Sequence, residues 1–569
     1  MSHQRWNVLP LPPETIRFDK AGISPVLGQI LYHRGITEAS QIQTFLAGDV
    51  SLCSDPFLLP GMHQAVIRIL RASLTGEKIA IFGDFDTDGV TATALMVEGL
   101  SFLGIQATPY IPHRITEGYG LKSAALENLH KQGVTLVISV DCGVTAILPV
   151  KKARRLGMDI IVTDHHVPLD EIPLASAVID PKLPGSMYPF HELSGVGVAL
   201  KLLQALFQSM GKELNTSRLF DLVALGTVAD MVPLLGENRY LVIQGLKVLN
   251  DNPRPGIQEL MIVAGNRDTG IDSETISWLL APRLNAAGRL DHAISSYQLL
   301  TTVSTEEARS LAVHLHKKNL ERQELTTKAT SLAKEQVAAS GLNAVILAQD
   351  IEFPIGICGL VASRLVDEYY RPALVVRTGE EFCTGSCRSI PEYNIIAALN
   401  EFQSTVGGLL HFGGHAQAAG FTIPIRKLAR FGEFLSRMAE EQLKGLDLRP
   451  SIDIDAEVKF SELGGDVYPT IQKLSPFGQG NPVPSFLSRG VEVVDSRTMG
   501  SNAEHLKLKL KQGGVVWNAV GFGLGKLQHE MKSRIDIVYN IELDHWNGSR
   551  NLRLNVIDFQ QEKVGSIGN

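Results

Sequence analysis

Residues 78–96 read KIAIFGDFDTDGVTATALM. An apolar run ends at Gly83, and three carboxylates follow at alternate positions: Asp84, Asp86 and Asp88. A glycine and small residues come next, with the spacing of a helix start. The same grammar returns twice. VTLVISVD ends on Asp141, and DIIVTDHH reaches Asp164, His165 and His166. Apolar strands that alternate with helical segments predict a parallel sheet covered on both faces. In open α/β sheets, ligands sit beyond the carboxyl ends of the strands. Asp84, Asp141 and Asp164 are therefore expected along one crevice, although they are far apart in sequence.

Outward from that stretch the chain is long. At 569 residues, and with about 150 residues per domain, it should hold three or four domains. Apolar content of 44% and mean hydropathy of +0.07 suit a packed protein rather than a disordered one. No apolar run approaches the ~20 residues that span a membrane. The start, MSHQRWNVLPLPPE, lacks a charged segment followed by an apolar one, so no secretory leader is expected. Five cysteines fit a reducing, cytoplasmic compartment. Cys383 and Cys387 have CxxxC spacing without nearby partners, which disfavours a structural zinc. The net charge of −7 argues against a uniformly basic nucleic-acid binder. Acids that hold cations, or basic residues gathered on one surface, would remove that objection.

Residues 13–75 read as short helices and turns. Residues 236–300 look helical, and Ser304–Gly341 reads as one long connector, with Ser304 and Glu307 as a capping box and Gly341 as its stop. A second α/β pattern follows, from NAVILAQD to about Ile425. From about 452 to 560 short alternating strands predict a small antiparallel barrel of OB type. Gly513-Gly514 and Asn547-Gly548 are its hairpin signals.

Four segments carry the chemistry: GDFDTDG, SVDCG (Asp141), VTDHH and ALGTVADMVPL (Asp230). Side chains two apart on an extended segment share a face, so short aspartates at a strand end can converge on one or two cations. Mixed carboxylate and imidazole donors point to Mn²⁺ first and Mg²⁺ second. A lone strand-end aspartate is usually a cap or turn former, and a lone histidine pair is usually structural. Chance explains poorly their coincidence at four elements of one sheet region.

This ordered set resembles the DHH phosphoesterase superfamily. DHH itself is Asp164–His166. FGGHAQAAGF from Phe412 resembles the signature of the DHH-associated domain, and HRITEGYGL from His113, APRLNAAGRLDHA from Ala281 and SPFGQGNPVPSF from Ser475 also match. The resemblance spans about residues 15–560 and is strongest to the bacterial branch of single-strand-specific 5′→3′ DNA exonucleases. It implies an α/β fold with a parallel-sheet DHH domain (76–303), an N-terminal helical segment packed on it (1–75), a connecting helix (304–341), a second α/β domain (342–450) and an OB-like barrel (451–569).

The resemblance also implies roles. Asp84, Asp86, Asp88, Asp141, His165 and Asp230 would ligate two Mn²⁺ or Mg²⁺ ions. His166 would contact the scissile phosphate, and Asp164 would orient a neighbouring histidine. Arg388, Ser389, Gly413, Gly414 and His415 would meet the substrate, with Arg114, Arg283 and Arg289 as further phosphate contacts. Phe477, Phe486 and Trp517 are candidate base platforms in the barrel. Two departures stand out: Phe82 replaces a histidine common in the superfamily, which leaves the division of labour among the three acids open, and Cys387 replaces a common glycine. Single-stranded DNA is the implied substrate, a single-strand-binding protein and a DNA helicase are candidate partners, and no membrane is involved. Rival readings are a phosphatase using Asp86 as a nucleophile, a DHH phosphoesterase of short oligonucleotides, and a non-catalytic DNA-binding replication scaffold.

Overall fold

The computed structural model describes residues 4–13, 16, 18, 23–214, 216–266, 270–544 and 551–561. They form two compact units. One comprises residues 48–444 with 478–480; the other comprises 1–47, 445–477 and 481–569.

The larger unit is built on two sheets. In the first, β1 (Lys78–Gly83), β2 (Ala107–Tyr110), β3 (Val134–Val140), β4 (Asp159–Thr163) and β5 (Ala177–Ile179) run parallel in the order β2-β1-β3-β4-β5. The order reverses between β1 and β3, which opens a crevice at their carboxyl ends. Register puts Gly83 opposite Val140 and Val140 opposite Thr163. The next residue on each strand, Asp84, Asp141 and Asp164, therefore leaves the sheet at one level.

Alternation on β1 sorts its side chains by face. Ile79 and Ile81 join the large core with the helices α1 (Thr87–Phe102), α2 (Gly195–Ser209) and α3 (Phe220–Ala229), while Ala80 and Phe82 join the core on the other face. Phe82 is fully buried and stacks on Tyr110 with ring centres 5.0 Å apart. Its side chain is a core member on the face away from α1, so it stands in for no ligand.

Beyond the first sheet come α4 (Ala281–Leu290) and the 36-residue α5 (Thr305–Ser340). Ala312 and Leu315 of α5 pack in the first core, and Ala329, Ala333 and Val337 pack in the second. The expected capping box is half formed. Ser304 Oγ accepts from Glu307 N (3.3 Å), but the Glu307 carboxylate is taken by the Thr302 hydroxyl (2.5 Å). The second sheet contains β6 (Ile346–Asp350), β7 (Ala373–Arg377), β8 (Phe382–Arg388), β9 (His411–His415) and β10 (Ala418–Pro424) in the order β9-β10-β8-β7-β6. Only β6 and β7 pair in parallel, and helix α6 (Ile355–Tyr369) packs on this sheet. Cys383 and Cys387 lie buried in β8 and belong to no metal-capable cluster among the described residues.

The smaller unit holds a five-stranded barrel: β11 (Phe486–Met499), β12 (His505–Gln512), β13 (Val515–Gly521), β14 (Arg534–Asp544) and β15 (Asn551–Gln561). The order β11-β12-β13-β15-β14 is closed by pairing of β14 with β11. Gly513 and Gly514 have φ of +54° and +89°, as the tight β12–β13 turn requires. The other hairpin signal, Asn547-Gly548, lies outside the described residues. Phe486 is barrel core against Tyr539 and so is no base platform; Phe477 and Trp517 are half-buried.

The N-terminal segment differs from expectation. Residues 1–47 group with the barrel, and only 48–75 group with the first sheet. Arg5–Val8 pairs in parallel with Ser451–Ile454, Trp6 Nε1 donates to Asp558 (2.9 Å), and Arg34 pairs with Asp455 (2.9 Å). A strand needs a sheet edge to satisfy its backbone, and Ser451–Ile454 supplies one. No helix among the described residues is long and apolar enough to cross a membrane.

Candidate metal centre and nucleic-acid site

The centre is assembled by strand ends and helix starts. Asp86 caps α1, accepting from Gly89 N (3.1 Å). Asp88, one residue into α1, accepts from Gly195 N (2.6 Å) and Val196 N (2.9 Å) at the start of α2. Asp141 has φ of +60°, a sharp bend directly after β3. Gly195 faces it so closely that a Cβ there would sit 2.5 Å from Asp141 Oδ1. Asp230 ends α3, and His165 Nε2 lies 3.1 Å from Asp141 Oδ1 and 3.6 Å from Asp230 Oδ2.

Three overlapping groups hold ligand atoms within 4.8 Å of one another: Asp84–Asp86–Asp141, Asp88–His165–Asp230 and Asp141–His165–His166. Asp84 Oδ1, Asp141 Oδ1 and His165 Nε2 are buried without a hydrogen-bond partner. Buried polar atoms are almost always paired, and orphans within these overlapping groups mark a place for cations. Burial, then neighbouring carboxylates, raises the pKa of Asp84, Asp141 and Asp230 well above the usual range and that of Asp88 to about 7. Burial and then His166 pull His165 down to about 3, which leaves a neutral imidazole able to ligate. Oxygen-rich donors with one imidazole suit Mn²⁺ or Mg²⁺.

His166 is held differently. Asp164 Oδ1 accepts from His166 Nδ1 (2.7 Å) and from the backbone N of His165 (2.8 Å) and His166 (3.2 Å); Asp164 Oδ2 accepts from Val144 N (2.9 Å). Burial alone would raise Asp164 and lower His166. The bond between them, together with the neighbouring opposite charges, outweighs it, keeping Asp164 at about 2 and pushing His166 to about 9. The His415 ring stacks over His166 at 6.3 Å, 8° from parallel, so the second sheet reaches the centre. Gly413 and Gly414 lie exposed on β9, an edge strand. Gly414, at φ +146°, is the one that must be glycine, since a Cβ would lie 2.2 Å from Ala418 O.

Beside the acids sits a cluster of cations. Arg114 covers the Phe85 ring at 4.6 Å. Arg289 donates to Gly356 O (3.2 Å), and burial followed by Arg114, Arg322 and Arg388 pulls it down to about 9. No carboxylate among the described residues forms an ion pair with Arg114, Arg289 or Arg388, so the cluster is matched to an anion from outside. Two expected contacts turn elsewhere. Arg283 donates to His316 Nδ1 (3.2 Å) and Leu279 O (2.6 Å), facing α5. Ser389 is buried with its hydroxyl given to Tyr393 O (2.6 Å). The sequence reading missed Tyr119, whose hydroxyl lies 3.3 Å from His166 Nδ1, and Arg322 on α5. Tyr119 sits between Gly118 and Gly120, both at positive φ, a Gly-Tyr-Gly pattern that signals a presented side chain.

Known proteins share these domains and this fold. The DHH family N-terminal domain matches residues 78–227, the DHHA1 domain 341–441 and the RecJ OB domain 454–558. The single-stranded-DNA-specific exonuclease RecJ of Bacillus subtilis is 37% identical over 98% of this chain and 71% of its own length. The chain belongs to the RecJ family. RecJ of Escherichia coli is 31% identical over 95% of this chain and 96% of its own. A crystal structure of RecJ from Thermus thermophilus in complex with Mn²⁺ superposes with a TM-score of 0.85 at 29% identity, covering 98% of this chain and 80% of that one. Another structure, exonuclease RecJ bound to manganese, gives 0.60 at 31% identity over 70% of this chain and 99% of that one. The RecJ resemblance thus runs through both sheets and the barrel.

Proposed function

We propose that this chain is a hydrolase that degrades single-stranded DNA from the 5′ end and releases 5′-mononucleotides, in DNA recombination and repair. The observation that carries the reading is the set of overlapping groups that share Asp141, with Asp84, Asp141 and His165 donor atoms buried and without hydrogen-bond partners, beside an arginine cluster that forms no carboxylate ion pair among the described residues. Asp84, Asp86, Asp88, Asp141, His165 and Asp230 would hold two Mn²⁺ or Mg²⁺ ions. When bound, such ions supply Lewis acidity at the scissile phosphate and ease ionisation of the attacking water.

The chain's own side chains do the rest. His166, oriented by Asp164, contacts the scissile phosphate and offers a proton to the departing 3′ oxygen of the terminal nucleotide. Arg114, Arg289 and Arg388 take the 5′ phosphate, which sets the reading frame of one nucleotide per cut. The exposed Gly413-Gly414 edge and His415 face the backbone of the strand. The barrel (451–569) grips the strand further along, while residues 76–303 and 342–450 supply the two sides of the cleft and 304–341 joins them. Retention of the whole ligand set, with Asp84, Asp141 and His165 atoms left unpaired, disfavours a non-catalytic scaffold. The location is cytoplasmic, and a helicase or a single-strand-binding protein would present the strand.

Asp230→Ala tests the reading. It should abolish cleavage, a loss of at least about 10³-fold, while DNA binding stays within a few-fold of wild type. Cleavage at the normal rate in that variant would refute the metal assignment.

A further inference from the structure

We infer that Asn285, on α4, is a positioning residue that sets the two acids Asp86 and Asp88 at the spacing cations require. The inference rests on the cation reading above and deepens it. Thr87 lies between those acids and is 1% exposed. Its backbone N–H and its hydroxyl both donate to the single oxygen Asn285 Oδ1, at 2.8 and 3.0 Å. Thr87 N is one of the first amides of α1 and has no partner within its own helix. Asp86 closes Gly89 N (3.1 Å), and Asn285 closes Thr87 N from 198 residues away.

The contact is not incidental to packing. Gly288, three residues on and on the same face of α4, lies so close to the 85–87 segment that a Cβ would sit 2.5 Å from Phe85 O. Gly356, at the start of α6, is pressed as closely against the C-terminal end of α4, its Cβ position 2.0 Å from Arg289 O. Helix α4 is therefore in close backbone contact with both the acidic segment and α6. It carries Asn285 to the acids and Arg289 to the anion cluster. Rotation about Thr87 would swing Asp86 and Asp88 in opposite senses, and Asn285 is the group that blocks it by holding both donors of that residue.

Mn²⁺ titration by calorimetry tests this on the full chain, with wild type, Asn285→Leu, Asn285→Asp, Thr87→Val and Asp141→Ala. Leucine keeps the volume without the acceptor; aspartate keeps an acceptor oxygen at the same place. The expected result is Mn²⁺ affinity weakened about 10- to 100-fold in Asn285→Leu, within about threefold of wild type in Asn285→Asp, and a smaller loss in Thr87→Val, which keeps only the amide donor. Turnover of Asn285→Leu should recover at saturating Mn²⁺, a shift in metal requirement rather than in kcat. Wild-type affinity in Asn285→Leu, or in Thr87→Val should the leucine variant not fold, overturns the inference alone. So does an Asn285→Asp affinity as weak as that of leucine. Absence of Mn²⁺ binding by wild type, equal to Asp141→Ala, overturns the inference together with the cation reading.

Discussion

Asp141 shows how much one residue carries. Its φ of +60° puts a carboxylate oxygen, unpaired and buried, 3.1 Å from His165 Nε2. Without cations such groups hold protons. Folded Asp84, Asp141 and Asp230 lie well above the ordinary carboxylate range and Asp88 lies at about 7, burial being the first cause in each case. The sign follows from linkage. Unfolded carboxylates titrate at about 4, so these four acids bind more protons in the folded chain from there upward, Asp88 up to about pH 7. The contribution of these four acids to the stability of the metal-free chain is thus most favourable at low pH and falls as pH rises through that window. Mn²⁺ displaces the protons, so its stabilisation grows with pH. The difference in Tm between Mn²⁺ and chelator should widen from about pH 5.5 to 7.5 in a thermal melt. A difference that stays constant would mean these acids are not the binding groups.

Among the elements, α2 is the one the centre leans on. Its first two amides hold Asp88, and its first residue, Gly195, makes room for Asp141. A helix start favours carboxylates there, which is why two acids can be buried side by side. Gly195→Ala should leave the circular dichroism spectrum unchanged and weaken Mn²⁺ affinity about 10- to 100-fold, because the new methyl displaces Asp141. Unchanged affinity would show that Asp141 has room to spare. Helix α4 marks what sequence could not resolve at this scale. Arg283 and Arg289 looked equally fit for phosphate, but six residues turn a helix by about 240°. Arg289 faces the cation cluster, while Arg283 faces α5 and is occupied by His316. Which side of a helix meets the site is a tertiary fact. By contrast, Asp84, Asp141 and Asp164 were legible because each ends a strand of one parallel sheet, and register alone brings them level.

For the whole molecule, local pattern was enough to place both sheets, the long helix and the barrel, since each has its own period and punctuation. It could not place residues 1–47, because Arg5–Val8 finds its partner at Ser451–Ile454 and nothing near the N-terminus encodes that pairing. It could not separate Ser389, whose hydroxyl donates to Tyr393, from the arginines beside it. Under the proposed function, two cations and an arginine cluster at a sheet's switch point would take a DNA strand by its 5′ end. The direct measurement is digestion of one oligonucleotide labelled at either end, single-stranded or duplex, with Mn²⁺, Mg²⁺ or chelator. The account predicts immediate release of labelled mononucleotide from the 5′-labelled single strand, late release from the 3′-labelled one, little attack on duplex and none with chelator. Early release of the 3′ label, equal cutting of duplex, or activity in chelator would contradict it.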